Sequence, residues 1–286
     1  MKKIFISGIT GFIGSELSSF FNSKGYIVHE ILRIDFKLSD IEFLEKISSA
    51  NIIINLAGAP LDRRWTAKYK KEIFNSRILT TRKIADAINQ MPVKPELFIS
   101  TSAIGIYDDN KVNNEYSEVS PDDFLKKLCI AWEKEALIAK DYTTTVICRL
   151  GVVLDAHAGA LKKLLPPFKA GFGAIIGSGQ QSFSWIHIKD LCNAIHFIIE
   201  NKLQGIYNLT TPNPINNKIL SMTIGSILKR RIFLNLPEFF FKLIYGEGAV
   251  ILIKGQYVIP KKLIENHFIF KYADIETCLK NLLLKK

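Results

Sequence analysis

The sequence predicts an α/β protein organised around a doubly wound parallel sheet, with a smaller α-rich C-terminal lobe. Short apolar runs alternate along the chain with segments whose apolar residues recur at helical spacing, an alternation typical of parallel βαβ units. The run Ile52–Ile54 is apolar throughout, as expected for a strand covered on both faces. The length of 286 residues accommodates one larger domain and a smaller lobe.

A glycine-rich turn follows the first predicted strand. Residues 2–7 are rich in β-formers, and residues 15–23 carry apolar side chains spaced as on one helix face. In a strand, G-x-x-G-x-x-G turn and helix, the backbone approaches a diphosphate that sits at the helix N-terminus. An ordinary tight turn is the alternative, whereas the interrupted apolar run disfavours a signal peptide. The predicted dinucleotide contacts are Gly8, Thr10, Gly11, Phe12, Ile13 and Gly14.

The second predicted strand, residues 26–32, bears on cofactor choice. In dinucleotide-binding folds an acidic residue at the end of this strand binds the ribose 2′-OH, whereas an Arg accommodates a 2′-phosphate. The strand ends at Leu32 and Arg33, which we expect to contact the cofactor, so NADP is favoured over NAD. Glu30 is the acidic alternative if the strand ends sooner.

The next segments extend the predicted sheet. Residues 34–36 are predicted as a short strand, and residues 38–47 as a helix with Ser39 or Asp40 as its N-cap. The buried strand 52–54 leads into N-L-A-G. Ligands of doubly wound sheets bind beyond the carboxyl ends of the strands. We therefore expect three further cofactor contacts directly after this strand: Leu56, Ala57 and Gly58.

Predicted strands and helices continue to alternate along the rest of the chain. Further strands are predicted at residues 97–99, 146–149, 185–188 and 205–209, and helices at residues 67–90, 123–138 and 190–200. Glycines and prolines accumulate over residues 155–181, which predicts a loop-rich lid between the two lobes. The last 70 residues alternate helical and apolar segments, including the apolar stretch 237–245. A small α-rich lobe follows from this pattern.

Composition limits the possible partners. The formal net charge is +11, but the basic residues are scattered without a recognisable nucleic-acid motif, so we expect no nucleic-acid partner. No apolar run reaches the roughly 18 residues that span a bilayer, so no membrane partner is expected. The four cysteines lack C-x-x-C spacing, which favours a cytoplasmic protein without a metal site. Monomer and homodimer are both compatible with the sequence.

Ordered motifs along nearly the whole chain resemble the extended short-chain dehydrogenase/reductase superfamily. Four motifs follow the first, fourth, fifth and sixth predicted strands: G-x-x-G-x-x-G, N-L-A-G, S-T-S-A-I-G-I-Y and R-L-G-V-V-L. N-L-A-G-A-P followed by R-R-W, W-E-K-E-A, I-G-S-G-Q-Q-S-F-S-W-I-H-I-K-D and G-Q-Y-V-I-P are similar to its atypical "epimerase family protein" subgroup, which has a C-terminal domain of unknown function. The resemblance implies a dinucleotide-binding Rossmann domain over residues 1–155 and 183–210. Residues 156–182 and 211–286 would form the substrate-side lobe and C-terminal domain.

The resemblance also implies cofactor residues outside the glycine turn. Glu72 and Arg77 would line the cofactor cleft from the helix that follows N-L-A-G, and the backbone of Val153 would pass the nicotinamide. Arg77 is the stronger candidate, because a guanidinium grips an oxyanion with two parallel hydrogen bonds. The alternative for both charged residues is an exposed position on the helix surface.

The catalytic residues are less clearly marked. In the superfamily a Ser binds the substrate oxygen, and a Tyr from a Y-x-x-x-K motif on the next helix is the acid or base. Ser102 occupies the first position, but the helix at residues 123–138 contains no Tyr. Tyr107 is therefore the candidate proton donor, with packing as its alternative. His187 is a second candidate base, although a buried structural histidine is the default interpretation.

Three hypotheses about function follow from this sequence. The first is an NADP-dependent oxidoreductase or nucleotide-sugar-epimerase-like enzyme that acts on an unknown small molecule without the usual Tyr–Lys pair. The second is a non-catalytic dinucleotide-binding sensor or regulator. The third is a structural interaction protein, which no motif in the sequence supports. A shared fold does not decide among these hypotheses.

Overall fold

The computed structural model describes residues 1–284. Its strands are β1 (Lys3–Ser7), β2 (Ile27–Ile31), β3 (Ile52–Asn55), β4 (Leu97–Ala103), β5 (Val112–Asn113), β6 (Thr144–Leu150), β7 (Val152–Leu154), β8 (Ala174–Ile176), β9 (Ser182–Phe183), β10 (Trp185–His187), β11 (Gly205–Leu209), β12 (Ile215–Asn216), β13 (Leu234–Leu236) and β14 (Tyr257–Val258). Its helices are α1 (Phe12–Ser23), α2 (Asp40–Ile47), α3 (Ala67–Gln90), α4 (Phe124–Ala136), α5 (Gly159–Lys169), α6 (Ile188–Glu200), α7 (Asn217–Ile227), α8 (Glu238–Tyr245), α9 (Val250–Ile253), α10 (Lys261–Glu265) and α11 (Ile275–Leu284).

The central sheet is six-stranded and parallel, with the strand order β11-β6-β4-β3-β1-β2. From β1 the chain first adds β2 on one side and then crosses to add β3 on the other. The direction of strand addition therefore reverses between β1 and β3. A crevice opens at such a switch point, beyond the carboxyl ends of the two strands. The predicted doubly wound fold is confirmed.

Helices cover both faces of this sheet. Helices α1 and α6 pack on one face, where Leu17 and Ile195 are fully buried with the strand residues Ile4 and Ile54. Helices α2, α3 and α4 cover the other face, and Phe43, Ile84 and Ala136 are buried there. Burial on both faces explains why the sheet strands are almost continuously apolar.

The short strand predicted at residues 34–36 does not form. Asp35–Lys37 is a turn of 3₁₀ helix, and Ile34 is 60% exposed. The Asp35 carboxylate accepts a hydrogen bond from the backbone N–H of Leu32 at 2.6 Å and pairs with Lys46 at 3.0 Å. These contacts turn the chain directly into α2, whose N-cap is Ser39 with a capping box to Glu42.

The loop-rich lid predicted at residues 155–181 is partly wrong, because it contains the helix α5. Leu161, Leu165 and Phe168 recur at helical spacing and are buried in a second core with α7 and α11. The two prolines lie late in this helix, at Pro166 and Pro167. Burial of one apolar stripe therefore outweighs the breaking tendency of the prolines.

The C-terminal region is built mainly from helices, in agreement with the predicted α-rich lobe. Helices α7 and α11 pack on α5, and short two-stranded pairs connect the region to the rest: β8 with β13, β9 with β12, and β5 with β14. The exact domain boundaries stay a prediction. Among residues 1–284 no helix is long and apolar enough to cross a membrane.

Candidate functional site

The glycine turn at the end of β1 has the geometry of a diphosphate-binding loop. Gly8 has a φ of +72°, and a Cβ there would lie 2.9 Å from the carbonyl of Leu56. A Cβ on Gly14 would lie 2.3 Å from the oxygen of Gly8, so only glycine permits the helix this close to the turn. Gly11 is exposed and forms the N-cap of α1, with no side-chain cap among the described residues. The first N–H groups of α1 are therefore available to an anion.

The segment after β3 is fixed by a buried polar cluster around Asn55. Its side-chain oxygen accepts hydrogen bonds from the Ser7 hydroxyl at 2.6 Å and from the N–H of Ala57 at 3.2 Å. Its amide donates to the Thr81 hydroxyl at 2.8 Å, which also accepts from the indole of Trp132 at 2.9 Å. Asn55 therefore ties β1, β3, α3 and α4 together, and it positions Leu56, Ala57 and Gly58 beside the glycine turn.

Arg33 and Glu72, both predicted as cofactor contacts, lie next to each other. β2 continues through Ile31, so Arg33 lies just beyond the strand end, while Glu30 lies within the strand. The Arg33 side chain is 92% exposed, and its Nη2 is 3.9 Å from Oε1 of Glu72 on α3. Arg33 is thus free to approach a ligand, with a carboxylate close by.

Arg77 is the most unusual of the predicted cofactor residues. Its side chain is buried against Gly58, with the guanidinium carbon 5.2 Å from the ring centre of Trp132. Its Nη1 donates a hydrogen bond to the carbonyl of Ile73 at 3.2 Å. Burial lowers the pKa of Arg77, and no carboxylate among residues 1–284 forms an ion pair with it. A buried guanidinium without an anionic partner is costly, so this position is suited to receive an anionic group of a ligand.

Val153 and Phe12 both lie close to Gly159, the first residue of α5. Val153 lies in β7, which pairs with β10, and it is buried. Gly159, with a φ of +61°, follows at the start of α5, and a Cβ there would lie 3.1 Å from the Phe12 ring and 3.4 Å from the oxygen of Val153. Helix α5 therefore begins directly against α1. Lys163 of α5 also forms an ion pair with Asp62, in the loop before α3.

Ser102 and Tyr107, the predicted catalytic residues, belong to one buried polar network. The Ser102 hydroxyl donates to Glu133 at 2.7 Å, and the guanidinium of Arg149 binds the same carboxylate through two hydrogen bonds of 2.8 Å. Arg149 also donates to the Tyr107 hydroxyl at 2.7 Å, which in turn donates to Asn208 at 2.9 Å.

This network leaves the Tyr107 phenol no open face. The residue is 0% exposed, and burial raises its pKa, although Arg149 and Asn208 oppose that shift. Proton donation to a substrate would require the phenol to leave both partners, so the catalytic role of Tyr107 stays a prediction. Ser102, 2% exposed, is similarly engaged. Sequence reasoning missed the ion pair of Glu133 and Arg149. An Arg within an otherwise apolar strand was the signal that a buried partner existed.

His187 has a structural role. Its Nδ1 accepts a hydrogen bond from the N–H of Lys189 at 3.0 Å and thereby caps α6, and its ring stacks on Tyr272 at 3.9 Å. Burial lowers the pKa of His187 to about 4, so the ring is neutral near neutral pH. Within the described residues no cluster of His, Cys, Asp and Glu is arranged to hold a metal ion.

Comparison with known proteins places this geometry in a family. The model of the NAD dependent epimerase/dehydratase family matches residues 4–210, and a domain of unknown function (DUF1731) matches residues 236–282. Epimerase family protein YfhF of Bacillus subtilis is 35% identical and covers 98% of this chain and 97% of its own length. The chloroplastic SDR39U1 homolog of Arabidopsis thaliana is 34% identical, over 96% of this chain and 85% of its own length.

A solved structure is similar over the whole chain. The crystal structure of human epimerase family protein SDR39U1 (isoform 2) with NADPH superposes with a TM-score of 0.91 at 30% identity, and it covers 99% of this chain and 100% of its own. These matches confirm the subgroup predicted from the motifs. The chain belongs to the NAD dependent epimerase/dehydratase family, is similar over nearly its whole length to epimerase family proteins of the SDR39U1 type, and carries a C-terminal domain of unknown function.

Proposed function

We propose that this chain binds NADP(H) at the switch point between β1 and β3 and uses it as an oxidoreductase or epimerase acting on a small polar molecule. The convergence of the Gly8–Gly14 turn with the Asn55–Gly58 segment carries the proposal, because both present backbone to one crevice. The NADPH bound to human SDR39U1, a structure 30% identical to this chain, supports it. When bound, the nicotinamide supplies a hydride acceptor or donor.

Different residues of this chain would bind different parts of NADP(H). The turn and the α1 N-terminus bind the diphosphate, and the backbone of Val153 passes the nicotinamide. Arg77 offers its buried charge to an anionic group of the ligand beneath Gly58. Glu72 lies beside the exposed Arg33 at the mouth of the crevice, where Arg33 would bind the 2′-phosphate.

At the reacting carbon we propose that Ser102 contacts the substrate oxygen. Glu133 accepts the hydrogen bond of the Ser102 hydroxyl, so a substrate hydroxyl would donate to the Ser102 oxygen after displacing the atoms that cover this 2% exposed residue. Tyr107 then acts through Arg149, which orients Glu133, rather than by touching the substrate. This arrangement would position a carbinol without the Tyr–Lys pair of the superfamily.

Arg33→Asp tests the choice of NADP. Loss of one or two charge-assisted hydrogen bonds to the 2′-phosphate should weaken NADPH binding roughly 10- to 100-fold and leave NADH binding nearly unchanged. Both dissociation constants are measured by fluorescence titration. Lys37→Asp, an equal change of charge at another exposed position nearby, is the matched control. An equal loss for NADPH and NADH in Arg33→Asp would show that Arg33 does not contact the 2′-phosphate.

A non-catalytic sensor is the second candidate function, favoured by one observation: α4 contains no Tyr, and the nearby Tyr107 is fully buried. NADPH consumption across a broad panel of small carbonyl compounds separates the two functions. Turnover that falls sharply in Ser102→Ala supports the enzyme. Tight NADPH binding without oxidation by any compound supports the sensor.

A further inference from the structure

Several large apolar side chains are exposed on and next to the C-terminal region. Helix α8 has the sequence E-F-F-F-K-L-I-Y, yet none of its residues is buried. Leu243 is 70% exposed and Phe239 is 69% exposed, and Phe233 just before β13 reaches 78%. We define the apolar face as seven exposed residues: Phe172, Phe233, Leu234, Phe239, Phe240, Leu243 and Ile244.

The short pair of β8 and β13 lies between the two parts of this face. Leu234 lies opposite Ala174 in the register, and a Cβ on Gly173 would meet the Ile232 side chain at 2.8 Å. Phe172 and Phe233 therefore lie at the same end of the pair. At the other end the Glu238 side chain packs beside Gly177, which places the first turn of α8 there.

Polar contacts fix α8 in place while its apolar side chains remain exposed. The N–H of Trp65 donates to the carbonyl of Tyr245 at 3.1 Å, and the Arg64 guanidinium donates to the carbonyl of Leu243. Surface helices normally bury an apolar stripe against the protein core. An exposed patch of this kind marks a contact with something outside the chain.

The charge around the face narrows the choice of partner. Residues 215–286 hold 12 Lys and Arg against 5 Asp and Glu. The one acidic residue of α8, Glu238, lies 3.4 Å from Lys242. Exposed basic residues flank the apolar face on α5, before β13 and on α8: Lys169, Lys229, Arg230, Arg231 and Lys242.

A second copy of the chain fits this surface poorly, because a two-fold axis through the face would bring its basic residues close to their own counterparts. An anionic lipid surface satisfies both features. Aromatic and aliphatic side chains enter the boundary between headgroups and acyl chains, and Lys and Arg bind the anionic headgroups. We propose that the apolar face docks on an anionic lipid bilayer, with α8 lying in the plane of the interface. Sequence run lengths led us to expect no membrane partner, but they bear only on spanning segments. Interfacial docking needs none, and residues 1–284 contain no helix long and apolar enough to cross a membrane.

Vesicle flotation of the full chain tests the proposal. Binding is compared between phosphatidylcholine vesicles and vesicles with about 30% phosphatidylglycerol, a composition that supplies negative surface potential. We expect the protein to float with the anionic vesicles at least about tenfold more strongly than with the neutral ones. Binding to the anionic vesicles should weaken as salt is added.

Two variants and a control separate the apolar and the basic contributions. Phe239→Glu/Leu243→Glu should abolish flotation, and Arg230→Glu/Arg231→Glu should reduce it at least tenfold. Ile41→Glu/Ile269→Glu, which changes exposed apolar residues away from the face, should float like the wild type. Circular dichroism melting checks that each variant is folded, independently of cofactor binding.

Several outcomes would overturn the proposal. These are equal flotation with both kinds of vesicle, no flotation of the wild type, or flotation that Phe239→Glu/Leu243→Glu leaves unchanged. Light scattering that shows a wild-type dimer, converted to a monomer by Phe239→Glu/Leu243→Glu, would assign the face to self-association instead.

Discussion

Gly11 and Gly14 allow the cofactor role of the turn to be separated from its structural role. A Cβ on Gly14 would lie 2.3 Å from the oxygen of Gly8 and 2.6 Å from the Cα of Ile9. Ordinary contacts begin near 3.4 Å, so backbone atoms would have to move by about 1 Å. Gly14→Ala should therefore destabilise the fold by about 3 kcal/mol and lower Tm by roughly 6–12 °C, without any cofactor present.

Gly11 differs, because its added methyl group would point into the crevice. The nearest atom to a Cβ there is the oxygen of Gly8 at 3.2 Å, a contact relieved by a shift of a few tenths of an ångström. Gly11→Ala should change stability by less than about 1 kcal/mol. It should weaken NADPH binding by at least about 100-fold, because two charge-assisted hydrogen bonds to the diphosphate are disturbed.

Thermal melting monitored by circular dichroism and fluorescence titration with NADPH measure the two effects on the same samples. If Gly11→Ala binds NADPH as tightly as the wild type, the diphosphate does not lie against this turn. If Gly14→Ala melts with the wild type, the close approach of α1 to the turn is not what requires glycine there.

Two further predictions concern the buried polar groups. Glu133→Gln leaves the Arg149 guanidinium buried without its counter-charge and should cost about 3–5 kcal/mol in a urea unfolding experiment; Glu135→Gln, whose partner Arg82 is 55% exposed, is the milder control. If Glu133→Gln lowers the free energy of unfolding no more than Glu135→Gln does, the burial assigned to the ion pair of Glu133 and Arg149 is wrong. Burial lowers the pKa of His187 from 6.5 to about 4. Between these pH values the unfolded chain therefore binds more protons than the folded chain. The free energy of unfolding should fall by up to about 3 kcal/mol as pH falls through that window. His187→Asn, which keeps an acceptor for the N–H of Lys189, should show a smaller fall in Tm from pH 7 to pH 5 than the wild type, and an identical fall would exclude His187 as its source.

Much of the fold follows from local pattern. The helix predicted at residues 67–90 coincides with α3, whose buried residues recur at helical spacing even though two of them, Arg77 and Thr81, are polar. The strand at residues 205–209 is likewise β11 as predicted. The strand predicted at residues 34–36 was wrong because the Asp35 carboxylate accepts a hydrogen bond from the N–H of Leu32, which competes with strand pairing. Apolar periodicity carries no information about such a side-chain contact.

The sequence predicted the parts of the site that depend on local backbone shape. It did not predict the parts that depend on contacts between side chains distant in the sequence. The glycine spacing between a predicted strand and a predicted helix indicated the turn around Gly11. No spacing indicates that Arg149 on β6 binds Glu133 on α4, or that both engage Ser102 and Tyr107. Sequence also could not show that the apolar residues of α8 face outward, because composition is the same for a core helix and an interfacial one.

The cluster around Asn55 has a consequence for how a bound molecule leaves. It fastens β1, β3, α3 and α4 into one block, so that wall of the crevice moves as a unit. The opposite wall is α5, which touches α1 through Gly159 and reaches across through the exposed pair of Lys163 and Asp62. We therefore expect release of a bound molecule to depend on these two contacts of α5 rather than on a change in the sheet.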